Sequence, residues 1–170
     1  LHHIFETFDG SMLISLVFGL IEDETGLLYM INAEHPWTIL YRDGKASFLN
    51  IENNFRKLGT LDADGAIHIF TAKLFPGDVL ISGSDGRDDV MITDNLGKEF
   101  VNDDGTLILA HVEKTEANLE GIFSEIQSVG KLIDDLTFVK ITYKKVTDAD
   151  SNAQFFEDDE ISKQAKAFLR

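Results

Sequence analysis

The 170-residue sequence contains no cysteine and only two prolines. Without cysteine the chain forms neither disulfides nor thiolate metal sites, which fits a reducing compartment, so we expect a cytoplasmic protein. Long apolar runs are also absent. The longest, "MLISLVFGLI" at residues 12–21, is about half the length of a membrane-spanning helix, and no basic segment precedes it. The sequence therefore predicts neither membrane insertion nor a signal peptide, and the run is interpreted as a buried central strand.

Positive charge is scarce. Fifteen Lys and Arg residues stand against thirty Asp and Glu residues, which gives a formal net charge of −15. Such a chain repels phosphate backbones and anionic lipids, so nucleic-acid binding and membrane-surface binding are disfavoured. The same charge suits divalent cations or basic partner surfaces, although solubility alone would also explain it. A hydrophobic fraction of 44% indicates an ordinary globular domain.

Short apolar segments separated by turn signals dominate the first half of the chain. Strands are predicted at residues 12–21, 27–32, 37–42, 45–49, 67–73 and 78–82. The dipeptide Asp43-Gly44 is typical of a two-residue hairpin, and Pro76-Gly77 indicates another turn. This spacing favours an antiparallel meander over βαβ units.

Helical spacing follows in the second half. The apolar positions of the predicted helix are Leu119, Ile122, Phe123, Ile126 and Val129. Thr115 is the predicted N-cap and Gly130 the predicted end of this helix. A last strand is predicted around residues 138–141.

The two ends of the chain are less regular. Residues 1–8 are predicted to be the end of a helix. The predicted domain covers residues 1–146. Residues 147–170 are interpreted as an acidic linker followed by the start of a helix, with acids before it and bases within it.

Acidic residues mark the ends of two predicted strands. Asp85, in "ISGSDGRDD", follows the strand at 78–82, whereas Asp134 and Asp135, in "LIDDLTF", precede the strand at 138–141. If these strands are antiparallel neighbours, the carboxylates meet at one edge of the sheet, where a divalent cation would relieve their repulsion. Carboxylate oxygens are ligands that Mg²⁺ and Mn²⁺ prefer. The hypothesis is a metal site, and the alternative is a solvated Asp-Gly turn.

Other polar segments support specific chemistry less well. "LDADGA", with Asp62 and Asp64, and "NDDG" at residues 102–105 lack the glycine position and the closing glutamate of a calcium loop, so both are interpreted as turns. His35 in "NAEHPW" is interpreted as a turn or packing residue. A calcium-binding β-domain stays an alternative that no loop supports.

Four segments taken in order resemble a known family. "MLISLVFGLIEDETGLLYMINAEHPWTILYRDG", "KLGTL", "LFPGDVLISGSDGRDD" and "DDLTFVKI" are similar to the bacterial metal-dependent protein phosphatases of the PPM superfamily, in the SpoIIE-like and RsbU-like branch. The resemblance covers about residues 1–143, the C-terminal two-thirds of such a domain. It implies an α+β fold, in which an antiparallel β-sandwich is flanked by helices on both outer faces (four layers, αββα) and is incomplete at its N-terminus.

The resemblance also implies a site and a reaction. Asp85 matches the acid of the family's "TDG" motif and Asp134 the first acid of "DDxT", so both would be catalytic ligands of two Mn²⁺ or Mg²⁺ ions. Asp135 would organise these ligands, and Gly86 would keep the turn open. A water bridging two ions about 3.5–4 Å apart would attack a phosphoserine or phosphothreonine in line. The resemblance to this branch further implies a substrate that is similar to a phosphorylated anti-anti-sigma (STAS-domain) protein and a role in sigma-factor regulation.

The sequence departs from the family pattern at several points. Glu34 occupies the glycine position of the "AGHP" turn, and Ser84 the threonine position of "TDG". The family's "GDxxGHG"-type segment, with the acid that bridges both metals, has no counterpart here. We therefore expect a fragment or degenerate copy that binds metal weakly and turns over little or no substrate. The alternative is a catalytically silent interaction module, in which an unpaired apolar strand at residues 12–21 would favour a homodimer.

Overall fold

The computed structural model describes residues 4–5, 7–49, 56–61 and 69–144. The strands are β1 (Leu16–Glu22), β2 (Leu27–Ala33), β3 (Ile39–Arg42), β4 (Lys45–Phe48), β5 (Phe70–Lys73), β6 (Val79–Gly83), β7 (Val90–Thr93), β8 (Glu99–Val101), β9 (Lys131–Leu132) and β10 (Phe138–Thr142). The helices are α1 (Leu107–Lys114) and α2 (Leu119–Val129). Within these residues no helix has both the length and the apolar character needed to span a bilayer.

Three antiparallel sheets contain the strands. Their orders are β1-β2-β5, β10-β6-β3-β4 and β8-β7-β9. The predicted hairpin β3–β4 is confirmed, with Asp43 and Gly44 at φ 50° and 76°. The simple meander is wrong, because β5 and β6 follow each other in the chain but enter different sheets. Local turn signals do not specify which sheet a strand joins.

Strand β6 contributes residues to two apolar clusters, one on each of its faces. Its residues Val79 and Ile81 belong to the core cluster that includes Ile108 of α1 and Ile122 of α2. Leu80, between them, belongs instead to the cluster formed with residues of the first sheet, Leu28 and Met30 among them. Successive side chains of a strand point to opposite faces, so β6 packs against the helices on one face and against the other sheet on the second. The result is the predicted α+β sandwich. Helix α1 contacts β3 and β4 of the four-stranded sheet, helix α2 contacts α1, β7 and β9, and both helices share one apolar cluster with the four-stranded sheet.

The long apolar run forms an edge strand. Strand β1 begins at Leu16 and pairs with β2 on one side, at the margin of its sheet within the described part of the chain. Phe18 and Leu20 are each 60% exposed. The prediction of a buried central strand is therefore wrong, because apolar composition alone does not say how many neighbours a strand has.

The predictions for the second half are partly corrected. Strands β7, β8 and β9 and helix α1 were not predicted. Helix α2 and its end at Gly130 are confirmed, but its N-cap is Asn118, whose Oδ1 accepts a hydrogen bond from the Gly121 amide at 2.7 Å. Thr115 instead ends α1, since its hydroxyl donates to the His111 carbonyl at 2.8 Å. The predicted linker and helix at 147–170, and the segment with Asp62 and Asp64, lie outside the described residues.

Candidate metal centre

The register of β6 and β10 brings two distant segments together. The strands are antiparallel neighbours, with Phe138 opposite Gly83, so the end of β6 lies beside the start of β10. Ser84 extends the contact, because its amide donates to the Thr137 carbonyl and its hydroxyl donates to the Asp135 carbonyl, both at 3.0 Å. The Ser84 hydroxyl also accepts from the Thr137 amide at 3.0 Å. The condition set by the sequence, antiparallel neighbours with acids at matching ends, is therefore met.

Three carboxylates gather at this junction. Asp85, Asp89 and Asp134 each present an oxygen, and these oxygens lie within 4.8 Å of one another. Asp85 and Asp134 are exposed, and Asp89 is half-buried. The two acids predicted as ligands are thus brought together, and their role as ligands stays a prediction.

Asp89 was not among the predicted ligands. It joins the cluster because a short 3₁₀ turn at Asp85–Arg87 reverses the chain, and the Asp89 amide donates to the Asp85 carbonyl at 3.3 Å. The Asp89 carbonyl in turn accepts from the Ile133 amide at 3.1 Å, directly before Asp134. The available signal was only the four-residue spacing from Asp85, which the hydrogen bond from the Asp89 amide to the Asp85 carbonyl closes into a turn.

Gly86 and Asp135 support this geometry through the backbone. Gly86 is buried, and a Cβ built on it would lie 2.3 Å from the Asp135 carbonyl oxygen. Only a residue without a side chain therefore lets the Asp134–Asp135 segment approach the turn so closely. The Asp135 amide donates to Oδ1 of Asp134 at 2.7 Å, which orients that carboxylate. Asp135 itself is outside the three-carboxylate cluster.

The donor set fits one hard divalent cation. Oxygens on opposite sides of Mg²⁺, at about 2.1 Å each, are about 4.2 Å apart, and around Ca²⁺, at about 2.4 Å, about 4.8 Å. The oxygen spacing of the cluster is of this order. Within the described part of the chain, no Lys or Arg forms an ion pair with these three carboxylates. Uncompensated negative charge of this kind is what a divalent cation stabilises.

The neighbouring Asp88 has a different environment. Its Oδ2 accepts from Nε of Arg87 at 3.2 Å, and Nη1 of Arg87 donates to the Trp37 carbonyl at 2.8 Å. Burial raises the pKa of Asp88, and the ion pair with Arg87 opposes that rise. Arg87 is buried and its guanidinium lies 5.5 Å from the Phe48 ring centroid. The acidic turn is thereby tied to the "NAEHPW" segment.

His35 is a turn residue, as interpreted from the sequence. Its amide donates to Oδ1 of Asn32 at 2.7 Å, and Nδ2 of Asn32 donates to the His35 carbonyl at 2.8 Å. Nδ1 of His35 lies 3.0 Å from the Pro36 carbonyl oxygen. The buried Asn32 side chain therefore fixes the turn that carries Glu34 and His35.

Comparisons with known proteins extend these observations. The model of the family described as stage II sporulation protein E (SpoIIE) matches residues 1–144. The RsbU and RsbW domains of a Mycobacterium tuberculosis protein are similar in fold, with a TM-score of 0.62, 16% identity, and coverage of 86% of this chain and 40% of that one. The sequence matches no curated protein.

Two further solved structures have similar folds. One is the SiaA-PP2C domain of Pseudomonas aeruginosa, with a TM-score of 0.63, 14% identity, and coverage of 84% of this chain and 57% of that one. The other is the phosphatase domain of the cell fate determinant SpoIIE from Bacillus subtilis, presoaked with Mn, with a TM-score of 0.54, 14% identity, and coverage of 78% and 58%. The chain thus spans about half the length of these structures. Because the family model extends over more than four fifths of its residues, the chain belongs to the SpoIIE family, and its fold is that of PP2C-type phosphatase domains.

Proposed function

We propose that the chain is the C-terminal part of a metal-dependent phosphoserine and phosphothreonine protein phosphatase domain that uses two Mn²⁺ or Mg²⁺ ions. The observation that carries this proposal is the convergence of Asp85, Asp89 and Asp134 from the ends of two neighbouring strands. Membership of the SpoIIE family supports it independently. The proposed domain covers residues 1–146.

Each residue of the centre has a proposed task. Asp85 and Asp134 would hold the cations, and Asp89 would supply a further oxygen. When bound, the cations supply an acidified water and neutralise charge on the phosphoryl group. The Ser84 hydroxyl bonds to the backbone of Asp135 and Thr137, and Gly86 permits the close approach of Asp135, so both residues would keep the two acidic segments in register for a cation.

The proposed substrate is a phosphorylated anti-anti-sigma-like protein of the STAS type, within cytoplasmic signal transduction. Membrane insertion and nucleic-acid binding form no part of the proposal. A net charge of −15 repels polyanions, and the carboxylate cluster itself repels a phosphate group until cations bind. Substrate affinity is therefore expected to depend on the cation.

Calorimetry with Mn²⁺ and Mg²⁺ tests the site in this chain. Because the "GDxxGHG" motif has no counterpart here, we expect weak binding, with Kd roughly 0.1–1 mM, the range of low-affinity oxygen sites. Asp85→Asn and Asp134→Asn should each weaken binding at least about tenfold. Asp103→Asn is the matched control, since Asp103 is an exposed acid outside the cluster, and it should leave binding unchanged.

Activity tests the reaction. In the full natural protein that carries these residues, Asp85→Asn and Asp134→Asn should each lower metal-dependent hydrolysis of a phosphoserine protein at least about a hundredfold. Asp103→Asn should retain the activity. If both ligand variants keep normal activity, the assignment of the centre is wrong.

The alternative function is a catalytically silent interaction or dimerisation module. The exposed edge strand β1 favours it, together with a largely apolar cleft of about 410 Å³ between the sheets, lined by Val17 and Ile21 of β1 and by Val139 and Ile141 of β10. Sedimentation of the chain and of Phe18→Ser tests this alternative. A dimer that the substitution dissociates, in a chain that binds no cation, would support it over the phosphatase.

A further inference from the structure

A groove beside Asp85 is not explained by cation binding. Its volume is about 560 Å³, and its walls include Glu34, Trp37, Phe48, Asp85, Arg87 and Asp88. Trp37 is the only tryptophan of the chain and is 40% exposed. Its ring packs edge-on against Phe48, with centroids 5.5 Å apart. One wall of the groove is therefore a fixed aromatic surface, and the same groove reaches the candidate metal centre.

Glu34 stands in this groove with an unusual backbone. Its φ is 48°, in the left-handed region that residues with a Cβ rarely adopt. The hydrogen bonds between Asn32 and the backbone of His35 hold the turn in this conformation. The same φ range occurs at the turns of Asp43, Glu116 and Ala117, so the role of the Glu34 side chain follows from the charges of the groove and not from its backbone.

The charges of the groove favour a cationic ligand. Arg87 is buried and bonded to Asp88 and to the Trp37 carbonyl. Cations at the metal centre would use the Asp85 carboxylate, so Glu34 is the acid left to face a ligand. Glu34 lies 3.8 Å from Arg56, but the two side chains are 38% and 71% exposed. A ligand cation would compete with a weak surface pair only.

We propose that this groove binds a lysine or arginine side chain of the substrate, a few residues from the phosphorylated serine or threonine. The cation would lie between the Trp37 ring and the Glu34 carboxylate, where cation–π attraction and ion pairing act together. The inference rests on the proposed phosphatase function, because Asp85 is common to the groove and to the metal centre. Glu34 and Trp37 are then specificity residues for a basic phosphoprotein segment.

Intrinsic fluorescence tests the proposal, since Trp37 is the sole tryptophan. Four decapeptides are titrated into the chain with Mg²⁺ present: a central phosphoserine or serine, flanked on both sides by lysines or by alanines. The lysine phosphopeptide should shift the Trp37 emission and bind about three- to tenfold more tightly than the alanine phosphopeptide. Glu34→Gln should abolish this preference. Glu24→Gln is the control and should retain the preference, because Glu24 precedes the start of β2 whereas Glu34 follows its end.

Glu34→Gly gives a second readout. It removes the strained side chain, so Tm should stay level or rise while the lysine preference is lost. A Glu34 that only supported the fold would instead lower Tm on substitution and leave the preference intact, which would overturn the proposal.

The remaining outcomes separate the two proposals. Equal affinities for lysine and alanine phosphopeptides, or no peptide binding at all, would overturn the groove inference. A lysine preference together with equal affinities for the phosphoserine and serine peptides would uphold the groove and count against the phosphatase function.

Discussion

The acidic turns at residues 84–89 and 102–106 read alike, "SDGRDD" and "NDDGT", yet their carboxylates find different partners. In the second turn, Oδ1 of Asp104 accepts hydrogen bonds from the amide and the hydroxyl of Thr106, at 2.9 and 2.6 Å. In the first, Asp85 and Asp89 face Asp134 from a distant segment. An acidic turn becomes a candidate metal centre when a neighbouring strand brings another carboxylate to it. A turn whose carboxylate is hydrogen-bonded within the turn has no such role.

The glycines of the two turns differ in the same way. A Cβ on Gly86 would lie 2.3 Å from the Asp135 carbonyl oxygen and 2.9 Å from the Asp135 carbonyl carbon. A Cβ on Gly105 would meet no atom within 4 Å. The first glycine is therefore required by a tertiary contact, and the second is not.

The largest expected effect is that of Gly86→Ala. The added methyl group must displace the Asp135 backbone, which carries Asp134 away from Asp85. We expect the free energy of unfolding to fall by about 1–3 kcal/mol, as for other overpacked sites, and cation binding to be lost. Urea denaturation and calorimetry with Mg²⁺ measure the two effects.

Gly105→Ala is the matched control for this change. It should alter the free energy of unfolding by no more than about 0.5 kcal/mol, as surface substitutions usually do, and leave cation binding intact. Equal losses in the two variants would mean that the close approach at Gly86 does not hold the centre together.

The next effect concerns stabilisation by the cation. A ligand at ten times its Kd that binds only the folded chain raises the free energy of unfolding by about 1.4 kcal/mol. Asp134→Asn should remove this gain and, without a cation, should not destabilise the chain, because one repelling charge is gone. Thermal unfolding with and without Mg²⁺ measures both.

In Asp104→Asn, Mg²⁺ should raise the free energy of unfolding as much as in the wild type, because Asp104 accepts its hydrogen bonds from Thr106 of its own turn. If the gain disappeared in Asp104→Asn but persisted in Asp134→Asn, the cation would bind at the turn of residues 102–106 and not at the candidate metal centre.

The sequence predicted the proximity of Asp85 and Asp134 better than it predicted the surrounding fold. Asp85 and Asp134 could be identified because each adjoins a recognisable apolar strand, and because antiparallel pairing of β6 and β10 places both at one edge. Asp89 was missed because its approach depends on a 3₁₀ turn and on one backbone bond from Ile133. Neither feature has a strong local signal.

Elements whose identity depends on tertiary contacts were also missed. Helix α1 is short, with eight residues, and ends at a turn where Glu116 and Ala117 both have positive φ, 50° and 58°. That left-handed turn separates Thr115 from α2 and moves the N-cap to Asn118. The position of β1 at a sheet edge likewise follows from which strands it can pair with, and not from its own composition.

The smallest expected effect is a difference in pH dependence between the two turns. The hydrogen bonds from Thr106, its hydroxyl first, lower the pKa of Asp104. The contribution of Asp104 to stability is therefore present above about pH 4, the pKa of an unfolded Asp. It is lost as pH falls through the lowered pKa of Asp104 in the folded chain. Burial raises the pKa of Asp88 against the opposing ion pair with Arg87. The contribution of Asp88 to stability is therefore greatest below about pH 4, the pKa of an unfolded Asp, and is lost as pH rises through its raised pKa in the folded chain.

The two asparagine variants should consequently diverge from the wild type in opposite directions. Between pH 2 and 7, without added cations, Asp88→Asn should gain stability relative to the wild type as pH rises, because the wild type alone must ionise a half-buried acid. Asp104→Asn should lose relative stability over the same interval, because only the wild type gains a carboxylate that Thr106 binds well. Urea unfolding at each pH gives both difference curves. Slopes of the same sign would show that the two turns hold their acids in equivalent environments, contrary to the contacts that distinguish them.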